Sequence, residues 1–395
     1  MFPTLSHLIR YLTALELALP VQTFGFFVAL AFWVAYVAFR KEFIRKERMG
    51  YIKPYTRTVT TGAPASPLLI FMYAVIGFII TWKAAYCIAN YQSFVRRPAA
   101  YLFSPGGNIP AGIIGALLAG GWIYWQKRLA QTEKPTTADV PTYPHERTDR
   151  LLFWNALTGF AGSILFAKLE QLPLLFSDPI QFLSTFNGLV FLGGFIFGAG
   201  TFLFITTRRM KVKLIDAMDV GSPGMMLAYG TGRMGCHLSG DGDWGVVNLS
   251  PKPGWLQWLP DWAWASRYPH NVLNEGRFIP GCNDNYCMQL LQPVYPTSLY
   301  ESAICLSIFA VLWINRHKFT TRGSMFFTFI LCNGIERFFM EYIKLNPQHC
   351  IGNICFTQAQ YISILFIVAG AAGLSWLYLI RTNQKHTAGN ISNQL

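Results

Sequence analysis

The segment Tyr229–Gly245 reads Tyr-Gly-Thr-Gly-Arg-Met-Gly-Cys-His-Leu-Ser-Gly-Asp-Gly-Asp-Trp-Gly and sets Arg233, Asp241 and Asp243 directly after an apolar, glycine-rich run. Charge at the edge of an apolar span is costly and usually has a functional reason. Glycines such as Gly232 and Gly235 let a backbone turn tightly and approach a ligand closely. An arginine among them can form bidentate hydrogen bonds to a phosphate. The chemistry implied is recognition of a phospholipid headgroup.

Two further groups carry chemistry. Arg337 and Glu341 stand four residues apart, so on a helix they share one face. The plain reading is an ion pair that lets one helix carry two charges. The functional one is a basic pocket in which Glu341 orients Arg337. The run Pro296–Glu301 predicts a helix start, with Thr297 as N-cap and Glu301 suited to the first turn; Tyr300 and Glu301 are placed to hold a glycerol hydroxyl. His237 and His270 read first as hydrogen-bonded loop residues. Gly193 and Gly194, with Gly198 and Gly200, read first as close helix packing. Lys83 and Lys168 are expected to snorkel or to pair with a carboxylate such as Glu170.

These residues need a frame, and the composition says which kind. Of 395 residues, 13% are charged and 52% hydrophobic. A bilayer core of ~30 Å takes about 20 apolar residues as helix. Nine runs qualify: 22–39, 67–89, 109–125, 151–169, 186–206, 214–231, 295–314, 324–343 and 359–380. They are continuous, whereas a membrane β-barrel would alternate. The expected fold is therefore all-α, a polytopic integral membrane protein of about nine spans. The net charge of +13 does not point to nucleic acid. With the N-terminus outside and the C-terminus inside, the basic clusters at 40–57, 127–150, 208–213, 316–322 and 381–385 all fall inside, as topology demands. Span 214–231 carries Asp216, Asp219 and Pro223 and reads as a candidate broken helix, yet removing it would reverse every later loop.

One membrane domain is expected over 1–382. Residues 126–150 read as a polar inside loop, 232–294 as a large tryptophan-rich outside loop, and 383–395 as a disordered tail. The first apolar run precedes a basic cluster and reads as a retained helix, with no cleavable signal peptide expected. Cys282 and Cys287 share one outside loop, and Cys350 and Cys355 another. Disulfides within or between the pairs, free thiols and a metal site are all open, with disulfides favoured and metal least. Cys87, Cys305 and Cys332 read as packing residues.

Taken together, the motifs resemble those of the prolipoprotein diacylglyceryl transferase family. Gly232-Arg233-Met234-Gly235 matches the opening of its Gly-Arg-x-Gly-Asn-Phe-x-Asn-x-Glu signature, with Cys236, Ser239 and Asp241 at the two Asn and the Glu. Tyr295–Glu301 matches His-Pro-Thr/Ser-Gln-Leu-Tyr-Glu, and Gly334–Glu341 matches Gly-x-x-Arg-Phe-x-x-Glu. The resemblance covers about 20–50 and 150–382. It leaves 50–148, with two spans, as an insertion in a seven-helix core. One departure matters: Leu192 stands where the family commonly has a His implicated in catalysis, so the base is open among Asp241, Asp243, His237 and His270, or the thiol needs little help. The resemblance implies transfer of a diacylglyceryl group from phosphatidylglycerol to the lipobox cysteine of a preprolipoprotein. Glycerol 1-phosphate would leave, at the periplasmic side of a bacterial inner membrane. Arg233, Arg337, Asp241 and Glu341 are the expected catalytic set. Gly194, Gly232, Gly235, His237, Ser239, Asp243, His270, Tyr300 and Glu301 are the expected substrate-binding set. No metal or organic cofactor is expected, and no nucleic-acid partner. The rivals are a catalytically inactive relative that binds phospholipid or signal peptide, and a lipid transporter; a transporter would favour paired repeats and mid-membrane charge.

Overall fold

The computed structural model describes residues 1–96, 98–102, 104–132, 134–184, 190–351 and 354–392. Helices dominate, because a backbone in lipid must satisfy its hydrogen bonds within each segment. The main ones are α1 (Leu5–Thr13), α2 (Thr23–Arg48), α3 (Pro67–Ala89), α4 (Ile109–Leu129), α5 (Thr148–Leu169), α6 (Phe191–Phe204), α7 (Leu214–Ser239), α8 (Thr297–Ile314), α9 (Ser324–Met340) and α10 (Gln358–Ser392). Six helical stretches among the described residues are long and apolar enough to cross a membrane: those built on α2, α3, α5, α6, α8 and α10. The chain is a multi-pass membrane protein. The remaining three of the nine expected runs are also helical, as α4, α7 and α9. Residues 185–189, where one run begins, lie outside the described residues, as does Arg97.

α7 is the central post. It packs along α2 on one side and against α8 and α9 on the other, while α5 pairs with α6 and α9 with α10. Small residues allow this. A Cβ on Gly162 of α5 would strike the Gly193 carbonyl of α6, and one on Gly193 would strike Gly162 in return. The apolar core gathers at one end of the bundle, around Phe39, Phe43, Leu151, Phe202 and Val220. There Lys46 ties α2 to α7 through Asp219 at 2.6 Å, and Asp219 accepts the Gly323 and Phe326 amides at the start of α9.

Several local expectations are corrected. α7 is one unbroken helix through Pro223, and it runs to Ser239 rather than stopping near 231. Arg233 therefore sits on a helix, not in a loop. The turn comes at Gly240 and Gly242, whose φ values of 65° and 96° are left-handed. Residues 126–150 are not simply a loop: Thr136–Thr142 forms β2, antiparallel to β1 (Tyr55–Thr61), with Tyr55 opposite Thr142. The α3–α4 pair thus hangs from a two-stranded ribbon, and the two helices pack chiefly on each other. Lys83 caps backbone carbonyls there, Tyr101 at 3.2 Å and Gly106 at 2.8 Å, instead of a carboxylate. Lys168 likewise donates to the Phe182 carbonyl. α10 continues to Ser392, past the expected stop near 380.

Residues 240–294 cross the open end of α7, α8 and α9. Bridges from Val294 to Val247 and Ser266, and from Gly245 to Lys344, fix them there. The disulfides Cys282–Cys287 and Cys350–Cys355 each close within a pair. No metal-binding cluster occurs among the described residues. Trp255 and Trp258 are 75% and 78% exposed on the outer surface of this cap.

Candidate active site

α7 ends, α8 begins and α9 ends at the same level, because consecutive helices here run antiparallel. Each contributes charge at that level: Arg233 from the last turns of α7, Glu301 from the second turn of α8 rather than the expected first, Arg337 from the last turn of α9. Glu301 is the hub and is fully buried. Its Oε1 accepts a hydrogen bond from Arg337 Nη1 at 2.7 Å and lies 3.0 Å from Lys344 Nζ. Its Oε2 lies 3.0 Å from Arg233 Nε. A buried carboxylate without such partners would cost several kcal/mol, so the three cations and the one anion hold one another in place.

Outer carboxylates complete the network. Glu341 Oε2 lies 3.2 Å from Arg337 Nη2, the i,i+4 pair expected from sequence, and accepts from Asn346 through its other oxygen. Asp243 bridges Arg233 and Lys344, the latter at 3.0 Å. Tyr229, one turn before Arg233, donates nothing to it. Its hydroxyl instead accepts from Arg233 Nη2 at 2.8 Å while its ring lies 4.9 Å beneath the guanidinium. An arginine has five N–H donors, and Arg337 spends two here. The Arg337 side chain keeps 26% of its surface open, against 5% for Lys344.

Lys344 sits just beyond α9. Burial pulls its ammonium down to about 8, Glu301 works the other way, and Arg233 and Arg337 add to the fall. Asp241 lies just beyond α7, and burial raises its carboxyl above its ordinary value, with Cys236 and Arg233 working the other way. No atom lies within 4 Å of where a Cβ on Gly232 would stand, so the face beside Arg233 is open to a ligand.

Other expected site residues stand elsewhere. His237 is 3% exposed, stacked on Trp262 and held by the Tyr268 hydroxyl at 3.2 Å. His270 is pinned to the Tyr286 carbonyl beside Cys282. Ser239 donates to the Cys236 carbonyl within α7. Gly235 receives Phe27 of α2, and Gly194 lies against Ser163 of α5, so both serve packing. The Tyr300 hydroxyl donates to the Ala263 carbonyl at 2.8 Å and anchors the cap. Thr297 is not an N-cap; it opens α8 and donates to the Asp243 carbonyl at 2.9 Å, fixing the turn that carries Asp243. Leu192 begins α6 and is 43% exposed, offering no polar group.

Three residues of the site were not singled out from sequence. Lys344 lies just past the run 324–343, and Tyr229 lies within the run 214–231, where an aromatic draws no notice. Glu336 is 5% exposed, with neither carboxylate oxygen hydrogen-bonded among the described residues. It occupies the place before Arg337, where only its acidity inside an apolar span could have flagged it.

Comparison with known proteins bears on all of these residues. A family model described as prolipoprotein diacylglyceryl transferase matches residues 113–376, a stretch that opens inside α4 and contains the whole charge cluster. A protein of Azotobacter vinelandii is 26% identical over 266 residues, 66% of this chain and 86% of its own length. One from Pseudomonas aeruginosa is 24% identical over 269 residues, covering 66% and 85%. One from Lysinibacillus sphaericus is 24% identical over 268 residues, covering 68% and 88%. Each of the three is named a phosphatidylglycerol–prolipoprotein diacylglyceryl transferase.

Proposed function

The chain belongs to the prolipoprotein diacylglyceryl transferase family, a family of membrane transferases, and from that premise we propose that it moves the diacylglyceryl group of phosphatidylglycerol to the thiol of a lipobox cysteine. In the step, the cysteine sulfur forms a C–S bond to the glyceryl carbon. The C–O bond to the phosphate breaks, and glycerol 1-phosphate departs with the electron pair. The thiol proton goes to a base. The protein partners are phosphatidylglycerol and the signal peptide of a preprolipoprotein. The setting is a bacterial inner membrane, with nine crossings, the N-terminus outside, the C-terminus inside and the charge cluster toward the periplasm.

The observation that carries this reading is the buried Glu301 carboxylate drawing Arg233, Arg337 and Lys344 to one point. Negative charge grows on the leaving phosphate, and donors fixed beforehand stabilise it without reorganising. Arg337 offers its unspent N–H groups, and Arg233 is held flat by Tyr229 and Glu301. Asp241 is our choice of base. Asp243 is engaged by two cations, while His237 and His270 are enclosed by aromatic and backbone partners. A free thiol titrates near ~8.5, so a carboxylate that burial makes more basic suits the transfer.

The deciding measurement is mass spectrometry of a lipobox-cysteine peptide incubated with purified protein and phosphatidylglycerol. A diacylglyceryl mass gain, lost with Arg233→Ala, supports the proposal. No gain with phospholipid still bound would leave a binding-only relative, for which Leu192 is the motive.

A further inference from the structure

A second cluster of cations lies at the other end of the bundle, and among the described residues no carboxylate forms an ion pair with it. Arg57 on β1, Arg147 in the turn Pro144–Arg147, Arg150 in the first turn of α5 and Arg209 in the π-helical turn Ile205–Arg209 all line one cavity of about 710 Å³. None of the four is in an ion pair among the described residues, although Arg45, Lys46 and Arg322 on the same side all are. The neighbouring acids Glu146 and Asp149 are exposed and do not line the cavity.

The cavity is not merely basic. Buried Leu151 and Met210 lie in its wall, and Trp154 and Phe204 open it toward the side that a bilayer would cover, being 49% and 57% exposed on membrane helices. Cations beside an apolar wall and lipid-facing aromatics match an amphiphile with a phosphate head. Arginine favours phosphate through its planar fork, and a positive segment at a membrane surface is drawn to anionic lipid. The cavity adjoins the start of α7, and Arg233 lies nineteen residues up that helix. At 1.5 Å per residue the separation is roughly 30 Å, so this is not the transfer cluster.

We propose that Arg57, Arg147, Arg150 and Arg209 form a binding site for a phosphate-bearing amphiphile, an anionic phospholipid head with the start of its chains. One of its four cations comes from the ribbon that bears the α3–α4 pair, which gives that segment a part in lipid recognition.

The test uses the full chain with a photoactivatable phosphatidylglycerol and peptide mapping by mass spectrometry. Labelling is expected within 147–154 and 204–210, competed by excess phosphatidylglycerol and not by phosphatidylcholine. It should fall at least tenfold in Arg57→Gln/Arg150→Gln/Arg209→Gln, persist in the corresponding triple Lys variant, and persist in Arg233→Ala, which separates this site from the transferase reading. Inorganic phosphate that competes at millimolar concentration assigns the site to the phosphate alone; failure to compete assigns it to the lipid. Should the Gln triple variant melt early, the single variants are read instead, each losing about two- to fivefold. Unchanged labelling in the Gln variants, or equal competition by phosphatidylcholine, overturns the proposal.

Discussion

At the start of α7, Lys46 is 1% exposed and lies between Asp216 and Asp219, and Asp219 accepts two backbone amides besides. At the far end of the same helix, Arg233 and Arg337 meet a buried Glu301 but keep 16% and 26% of their side chains open. Both clusters join α7 to its neighbours. The first spends its donors inward and acts as a staple at the foot of α9. The second leaves donors turned outward around a fixed anion. Buried charge therefore has two uses within one helix: a fully enclosed ion pair ties elements together, and cations left partly open keep N–H groups that can meet an incoming anion.

The contrast breaks first at its structural end. Lys46→Ala leaves Asp219 buried without its cation and Asp216 with only Arg322 at 3.5 Å, and it should cost about 3–5 kcal/mol of stability. Detergent melting curves would read this as a large fall in Tm, with transfer rate per folded molecule little changed. A normal Tm would show that the staple carries no weight. Arg233→Ala is expected to do the reverse: a rate loss above tenfold, or ~1.4 kcal/mol of barrier, with a smaller Tm change. Full rate would refute the phosphate clamp.

Charge state sharpens the same comparison. Lys344 loses its proton as pH rises through about 8, while a phosphate monoester is already doubly charged. Inhibition by added glycerol 1-phosphate should weaken severalfold from pH 7 to pH 9, and Lys344→Arg should hold it flat. The sign for stability is opposite. Folding lowers this pKa, so the folded state sheds the proton before the unfolded chain does, and the lysine's penalty eases between about 8 and its ordinary value near 10.5. The smallest effect is expected from Tyr229→Phe. It removes one hydrogen bond to Arg233, worth roughly 1 kcal/mol, and should slow transfer severalfold while leaving the stacking intact.

Sequence reading reached the helical runs because continuous apolarity is a local signal. It reached Arg337 and Glu341 because i,i+4 spacing fixes a helix face. It missed the ribbon, since β1 and β2 pair across some eighty intervening residues and neither strand is distinctive alone. It cut α7 short at Gly232, where glycines and charge suggested a loop; close contact with α2 at Gly224 and Gly235 rewards small residues in a continuing helix. Lys344 lies outside any periodic run, and only the fold returns it to Glu301. The two histidines drew attention for their chemistry, but the aromatic and backbone partners that occupy them could not be read from spacing.

The ribbon has one more consequence. Tyr55 and Thr142 face each other across its base, and paired residues on neighbouring strands stand about 5 Å apart. The chain leaves the bundle and returns to it through a single doorway. A change in the length of the stretch between would leave both exits where they are.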